Sequence, residues 1–161
     1  MSKPMPIAGF ERMTAAEPGE IDWLAPTEDQ PVGYFIEASI NYPAELHEAH
    51  NDYPLAPEPL DVQVKMLSDN QVELRTLYKM SRSAQSTKLI PNLLPKYTYL
   101  VHYLNLRFSL EHGMQLIDVH RVLRFQQSRW LAPYIEKNST FRAAAKNDFE
   151  KEFFNLMNNS I

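Results

Sequence analysis

The spacing of apolar residues predicts strands at four places along the chain. Val32–Ile40 is rich in aromatic and β-branched residues and lies between two prolines, which is typical of a strand. Apolar and polar residues alternate over Asp61–Leu67, which predicts a half-buried strand. Gln115–Phe125 also has a strand pattern, with Leu116, Val119, Val122 and Phe125 apolar. Lys88–Pro95 resembles a short strand followed by a loop.

Helical spacing appears in two later stretches. Tyr97–His112 carries apolar residues three and four positions apart, and Gly113 follows where a C-terminal capping glycine belongs. A final helix is predicted over Thr140–Ser160, with candidate N-caps in Asn138–Thr140. Its apolar residues form one stripe, which consists of Phe141, Ala145, Phe149, Phe153 and Leu156.

The first part of the chain is rich in proline, and its pattern predicts little regular structure. Residues 1–32 contain five prolines and no apolar periodicity, so we expect a loop with a short helical turn near Thr14–Glu17. The sequence of Tyr42–His50 predicts a helical turn that starts near Pro43. Asn51–Pro59 predicts an extended loop, because residues before proline avoid the helical region. The pattern of Gln71–Met80 leaves helix and loop open.

Composition limits the classes of function. The 161 residues fit one domain with a modest core, and the lack of cysteine excludes disulfides and cysteine-bound zinc. No apolar run is long enough to span a membrane, so we expect an intracellular protein without a membrane partner. The net charge of −4 argues against a freestanding nucleic-acid binder, although acids dominate Met1–Pro59 and most bases follow Lys65.

The final predicted helix carries the candidate chemistry. Arg142 and Lys146 lie four positions apart on one face, and Lys151, Asn155 and Asn159 share another. Spacing alone favours the solvated faces of an amphipathic helix. The alternative is a basic track for a nucleoside triphosphate, because phosphoryl transfer needs fixed cations on the phosphates.

The remaining polar residues predict no catalytic group and no metal site. The aspartates Asp52, Asp61, Asp118 and Asp148 are scattered, which indicates surface or capping carboxylates. His47 and His50 lack further ligands at suitable spacing, so a structural role is expected. The sequence shows no nucleophile elbow and no glycine-rich phosphate loop, and no Ser-His-Asp arrangement is expected.

Blocks of residues in a fixed order along the chain resemble a known family. The blocks are Gly33–Glu37, Tyr42–His47, His50–Glu58, Lys88–Leu93, His120–Ile135 and Ala145–Phe154, followed by Asn159-Ser160-Ile161. Together they resemble the protein-primed family B DNA polymerases of Polinton/Maverick-type transposons and related viruses and linear plasmids. The resemblance covers nearly the whole chain and ends within a segment similar to motif B of that family, which normally reads Lys-x-x-x-Asn-Ser-x-Tyr/Phe-Gly.

The resemblance implies a piece of a polymerase, from just after motif A into motif B. The fold class is then α+β, with mixed short strands and helices ending in a long fingers helix, in an incomplete polymerase domain. Residues 1–95 form a proline-rich palm and insertion segment, residues 96–135 a helix-strand insertion, and residues 136–161 the fingers helix. The catalytic Mg²⁺ of the intact enzyme is expected on aspartates outside this chain, so the chain alone should be inactive.

By the same resemblance, five residues contact the incoming nucleotide. The family's motif B lysine falls on Asn155, which is a departure, because asparagine carries no charge. Lys151 falls on a second basic position, Arg142 on a further nucleotide-contacting cation, and Asn159 on the motif's asparagine near the nascent base pair. Lys146 joins them because it shares a predicted helix face with Arg142.

The implied partners are a DNA template and primer, a deoxynucleoside triphosphate and a terminal priming protein, and the implied location includes the nucleus. The alternative is a non-catalytic product of a decayed transposon or a small interaction domain. The neutral Asn155 favours that alternative.

Overall fold

The computed structural model describes residues 3–13, 21–79 and 87–160, and its main element is a four-stranded antiparallel sheet. A second sheet of two short strands lies beside it, and five helices complete the described part of the chain. In chain order the elements are β1 (Met5–Arg12), β2 (Val32–Asn41), α1 (His47–His50), β3 (Glu58–Leu60), α2 (Asp69–Leu77), β4 (Lys88–Ile90), β5 (Lys96–His102), α3 (Tyr103–Glu111), β6 (Gln115–Ser128), α4 (Ala132–Ala144) and α5 (Asp148–Asn159).

The main sheet has the strand order β1-β6-β2-β5 and buries one of its faces. Because side chains alternate along a strand, Ile36, Ala38 and Ile40 of β2 all point to the buried face. Helix α3 packs there through Leu106, which is fully buried together with Tyr103. The opposite face, which we call the outer face, carries Phe35, Glu37, Ser39 and Asn41 of β2 and their partners on β5 and β6.

The structure confirms the strands predicted over Val32–Ile40, Gln115–Phe125 and within Lys88–Pro95, and it extends the second of them to Ser128. The prediction of loop for residues 1–32 is wrong at β1, which pairs with β6. That pairing joins Met5 to Ser128, so the partner that makes this segment a strand lies far away in sequence. The helical turn predicted near Thr14–Glu17 lies outside the described residues.

The strand predicted over Asp61–Leu67 is wrong. A single 3-10 turn at Val64–Met66 lies there, and α2 follows it. The hydroxyl of Ser68 accepts from the backbone N–H of Gln71 at 3.3 Å, and the Gln71 side chain accepts from the Ser68 N–H at 2.9 Å. This capping box starts the helix at Asp69. Most of Gln71–Met80, whose pattern left the secondary structure undecided, is therefore helical.

The helix predicted over Tyr97–His112 is half wrong, because residues up to His102 form β5. β2 offers an edge to this stretch of aromatic and β-branched residues, and Val101 pairs with Ile36. The helix α3 starts only after His102, whose Nδ1 accepts from the Leu104 N–H at 3.4 Å. Gly113 follows α3 with a φ of 92°, as predicted for a capping glycine.

The long final helix is also wrong, because two helices occupy Thr140–Ser160 and the residues before it. α4 already begins at Ala132, so Asn138–Thr140 lie inside it and do not cap it. The chain leaves the helix at Ala145, whose ψ is 137°, and Asn147 caps α5. The α+β class is therefore confirmed without the single long helix, and the division into three segments stays a prediction.

Two further predictions hold in part. Tyr42–His50 contains a 3-10 turn at Ala44–Leu46 and then α1, as expected for a helical turn. The extended stretch Asn51–Pro59 runs into β3, which pairs with β4. Within the described ranges, none of the helices is both long and apolar enough to cross a membrane.

Candidate functional site

Helices α4 and α5 form an antiparallel hairpin that holds all five predicted nucleotide-contacting residues. The Tyr134 hydroxyl donates to the Met157 carbonyl at 3.2 Å, near the start of α4 and the end of α5. At the other end, the rings of Phe141 and Phe154 lie 5.2 Å apart. These two contacts fix the relative position of the helices, so the turn between them presents its side chains on a defined frame.

The three cations lie around the turn of this hairpin. Arg142 is in the last turn of α4, Lys146 is in the connection, and Lys151 is in the second turn of α5. All three are exposed. Arg142 and Lys146 do not share a helix face as predicted, because the helix ends between them.

Acidic side chains occupy much of the same turn. Glu150 accepts from the Lys146 N–H at 2.9 Å and from the Asn147 side-chain amide at 3.1 Å. The Lys151 ammonium lies 3.3 Å from Asp148. In the first turn of α5, the Glu150 N–H donates to Asn147 Oδ1 at 2.9 Å, so side chains of the protein itself occupy part of this helix terminus.

The two asparagines differ in exposure. Asn159 is exposed, whereas Asn155 is half-buried along with Phe154, Met157 and Asn158, on the side of α5 that faces α4. The sequence correctly placed Lys151, Asn155 and Asn159 along one side of a helix. It did not predict that Asn155 would be partly covered by a neighbouring helix.

The apolar stripe predicted on the final helix is divided and largely uncovered. On α5, Phe149 is 79% exposed, Phe153 47% and Leu156 65%. Phe141 belongs to α4 instead, where the Lys137 ammonium lies 5.8 Å from its ring centroid. The stripe is therefore an exposed apolar surface.

The histidines near the start of the chain have the structural role that the sequence indicated. The Tyr42 hydroxyl and His50 Nδ1 lie 2.8 Å apart, and His47 Nε2 lies 3.3 Å from the Tyr42 carbonyl oxygen. Tyr42 is buried, so these bonds anchor the turn at α1 to the core. Among the residues that the structure describes, no three His, Asp or Glu side chains come together as a metal site would need.

A Ser-His-Asp arrangement is present on the outer face, contrary to the expectation from sequence. Ser39 Oγ lies 2.8 Å from His120 Nε2, and His120 Nδ1 lies 3.4 Å from Asp118 Oδ2. Asp118 and His120 are two apart on β6, which places both on one face of a strand. That spacing was visible in the sequence, but the pairing of β6 with Ser39 on β2 was not.

A network of buried polar groups supports the end of the sheet next to α3. The Gln127 side-chain amide donates to the Tyr103 hydroxyl at 2.8 Å and to the Gln30 carbonyl at 2.9 Å. The Tyr103 hydroxyl donates to the Thr27 carbonyl at 3.0 Å, and burial raises its pKa. These bonds fasten the loop before β2 to α3 and β6.

A shallow groove lies beside α2. It is lined by Val64, Val72, Arg75, Thr76 and Lys79. Two of these side chains are cations four positions apart, so the groove is a further basic surface on the described part of the chain.

Comparison with known proteins gives little further guidance. No protein-family model matches this chain, and no curated protein matches it. Among solved structures it is similar to Phi29 DNA polymerase complexed with primer-template DNA (post-translocation binary complex), with a TM-score of 0.47 and 15% sequence identity. The match covers 99% of this chain and 22% of the other, so the chain spans about a fifth of that polymerase. A similarity at this level assigns neither a family nor a function.

Proposed function

We propose that this chain is a segment of a DNA-directed DNA polymerase of the protein-primed family B type. Within the intact enzyme it would supply contacts to the incoming nucleotide and to the template and primer. The observation that carries the proposal is the ordered series of sequence blocks that ends in Asn159-Ser160. The last of these blocks lies on a helical hairpin with three exposed cations around its turn.

The chemistry of the proposed reaction fits such a hairpin. A primer hydroxyl attacks the α-phosphorus of a deoxynucleoside triphosphate, and pyrophosphate leaves with the negative charge. Fixed cations stabilise that charge, so Arg142, Lys146 and Lys151 would bind the phosphates. Asn155 would add a neutral hydrogen bond, and Asn159 would lie beside the nascent base pair. Mg²⁺ would be held by aspartates outside this chain.

The partners follow from the same proposal. They are a DNA template and primer, a deoxynucleoside triphosphate and a terminal priming protein whose side chain supplies the first hydroxyl. The site of action would be where such DNA replicates, including the nucleus.

One observation favours a second candidate, a non-catalytic product of a decayed transposon or an interaction domain. Asn155 replaces a cation and is half-buried, and α5 exposes Phe149, Phe153 and Leu156 beside it. A helix that no longer binds a nucleotide could still bind another protein through these apolar side chains.

Equilibrium binding of the full chain to a fluorescent deoxynucleoside triphosphate tests the proposal. The variant Arg142→Ala/Lys146→Ala/Lys151→Ala removes the three cations around the turn of the hairpin. The control Lys65→Ala/Arg75→Ala/Lys79→Ala removes the same charge at and near the groove beside α2. We expect the hairpin variant to bind the nucleotide more weakly and with a smaller dependence on salt, because it has lost the cations that would neutralise the phosphates.

The control variant should bind nearly as tightly as the parent chain. Equal weakening in both triple variants would show that charge alone causes binding and would contradict a specific role for the hairpin. Lack of binding by the parent chain at low salt would favour the second candidate.

A further inference from the structure

Ser39 lies at the centre of three backbone irregularities in the main sheet. Between Glu37–Arg121 and Ala38–Val119, the pairing of β2 with β6 shifts and leaves His120 without a partner on β2. A second shift follows between Ser39–Asp118 and Ile40–Leu116. On the other side, β5 also shifts its pairing with β2 between Ala38 and Ile40. Such bulges redirect side chains and occur often beside active sites.

The first bulge explains how the histidine reaches the serine. Successive strand residues normally point to opposite faces, yet both His120 and Arg121 make contacts on the outer face. The unpaired His120 turns its ring to Ser39, with Nε2 at 2.8 Å from Oγ. The third bulge contains Thr98, whose φ of 50° is rare for a β-branched residue. Strain of this kind tends to accompany functional sites.

Asp118 lies beside the second ring nitrogen of His120, and its charge bears on which nitrogen carries the proton. Its Oδ2 lies 3.4 Å from Nδ1, so the favoured neutral tautomer has a proton on Nδ1. Nε2 is then the acceptor, and Ser39 donates its hydroxyl proton to it. A nucleophile that contacts a base, and a base oriented by a carboxylate, are the three parts of a serine-based acyl-transfer site.

We propose that Ser39 is an activated nucleophile toward small carboxylic esters, with His120 as general base and Asp118 as the positioning residue. This site is independent of the proposed polymerase role, because it shares no residue with the hairpin. Leu100 lies on the same face opposite Glu37 and is 69% exposed, so it offers apolar surface for an acyl group.

Each step balances in protons and electrons. Ser39 Oγ attacks the carbonyl carbon, its proton passes to His120 Nε2, and the carbonyl π pair moves onto oxygen. Arg121, held by Glu37 at 3.3 Å and 73% exposed, is the nearby cation for that oxyanion. The carbonyl then re-forms, the alkoxide leaves with the proton from His120, and Ser39 is acylated. Water completes the cycle by the same route and releases the carboxylic acid.

Site-resolved labelling of the purified chain with a fluorophosphonate tests the proposal, because bulk ester hydrolysis would also report other histidines and lysines. Mass spectrometry measures the rate at Ser39 and at Ser139, an exposed serine on α4. General-base assistance is worth ~10² or more in a formed site, so we expect at least ~10-fold faster labelling of Ser39.

Variants separate the catalytic interpretation from a merely structural one. His120→Gln should lower the rate at Ser39 to that of Ser139, and Asp118→Asn should lower it in part. Asn41→Ala is the matched control, since it removes a similar cross-strand hydrogen bond to Gln115 on the same face and should leave the rate unchanged. Far-ultraviolet circular dichroism establishes that each variant is folded.

A second readout reports on Asp118 directly. The ¹⁵N shifts of the His120 ring should show the Nδ1–H tautomer in the parent chain and a mixture of tautomers in Asp118→Asn. A Ser39 rate within ~10-fold of Ser139, or a rate that His120→Gln leaves unchanged, would overturn the proposal. An unchanged tautomer in Asp118→Asn would remove Asp118 from it.

Discussion

Lys96 is completely buried, and its ammonium lies 3.0 Å from a carboxylate oxygen of Glu58, 38 residues earlier in the chain. The pair connects β5 of the main sheet to β3 of the small sheet. The side chain and backbone oxygens of Asn92 accept from the same ammonium at 2.5 and 3.2 Å. Three acceptors thus surround one buried charge, which secures the position of the small sheet against the large one.

Loss of the Glu58 carboxylate should therefore destabilise the fold. We expect Glu58→Ala to lower the free energy of unfolding by about 3 kcal/mol, because it leaves a buried charge without its counter-ion. The double variant Glu58→Leu/Lys96→Met should lose less than the sum of Glu58→Leu and Lys96→Met, since it removes both charges. Urea unfolding measures all of them, and strict additivity would show that the two side chains are not coupled.

The burial of His102 predicts that the folded chain loses stability in mild acid. Its ring packs among Phe35, Tyr103 and Phe125, and this burial lowers its pKa from the ordinary value of 6.5. The folded state then binds fewer protons than the unfolded state. Its contribution to stability is complete above about pH 6.5 and is lost as the pH falls from there through the lowered pKa. Protonation of Nδ1 would also break the cap on α3.

His102→Asn provides the matched comparison, because asparagine caps a helix without titrating. Between pH 7 and pH 5 the parent chain should lose more stability than this variant, because the two chains differ only at this position. Parallel profiles of unfolding free energy against pH would contradict a role for His102.

Gly33 should not tolerate a side chain. A Cβ there would lie 2.5 Å from Gln127 Oε1 and 2.7 Å from Phe125 Cζ, in the middle of the buried end of the sheet. We expect Gly33→Ala to cost about 1–3 kcal/mol through overpacking. In the background of Phe125→Leu the same substitution should cost less, because the ring that it meets is gone. Thermal unfolding of the four chains gives the coupling, and an equal cost in both backgrounds would show that the clash lies elsewhere.

The proposed function predicts that Asn155→Lys increases the activity of an intact polymerase that carries this hairpin. A lysine at this position would form a charge-assisted hydrogen bond with a phosphate oxygen, which is worth about 1.5–3 kcal/mol. In a chimera that carries this hairpin in an active protein-primed polymerase, Asn155→Lys should raise kcat/KM for nucleotide roughly tenfold or more, since ~1.4 kcal/mol is one decade. Glu152→Gln, on the exposed side of α5, raises the net charge by the same single unit and controls for that change. Equal kcat/KM before and after Asn155→Lys would exclude a phosphate contact here.

The sequence predicted the strands whose character is local. β2 and β6 carry their own β-branched, aromatic and other apolar residues, so their local composition was sufficient to predict them. β1 was not predicted, because it becomes a strand only through its partner β6. β5 has a pattern that suits a helix equally well, and the free edge of β2 decided in favour of the strand.

Prediction of the candidate sites was limited by the same dependence on partners that are distant in sequence. The break at Ala145 contains neither proline nor glycine, and the Asn147–Glu150 cap that creates it looked like ordinary helix sequence. The Ser39 site needs a bulge in β6, and bulges depend on the register between strands. Local spacing in the sequence could therefore show which residues share an element, but not which residues of another element lie beside them.

The strand order β1-β6-β2-β5 has a consequence for how this chain folds as it is made. β2 can pair only after β5 and then β6 have been synthesised. β1 can pair with β6 only when Ser128 has left the ribosome. Until then the apolar strands emerge without partners, and pairings so distant in sequence form slowly. The hairpin α4–α5 follows β6 in the chain and its main contacts are local, so it should fold soon after it is synthesised. A nascent chain stalled before Ser128 has emerged from the ribosome should consequently be sensitive to proteases and prone to aggregate, whereas one stalled after Ser128 has emerged should resist both.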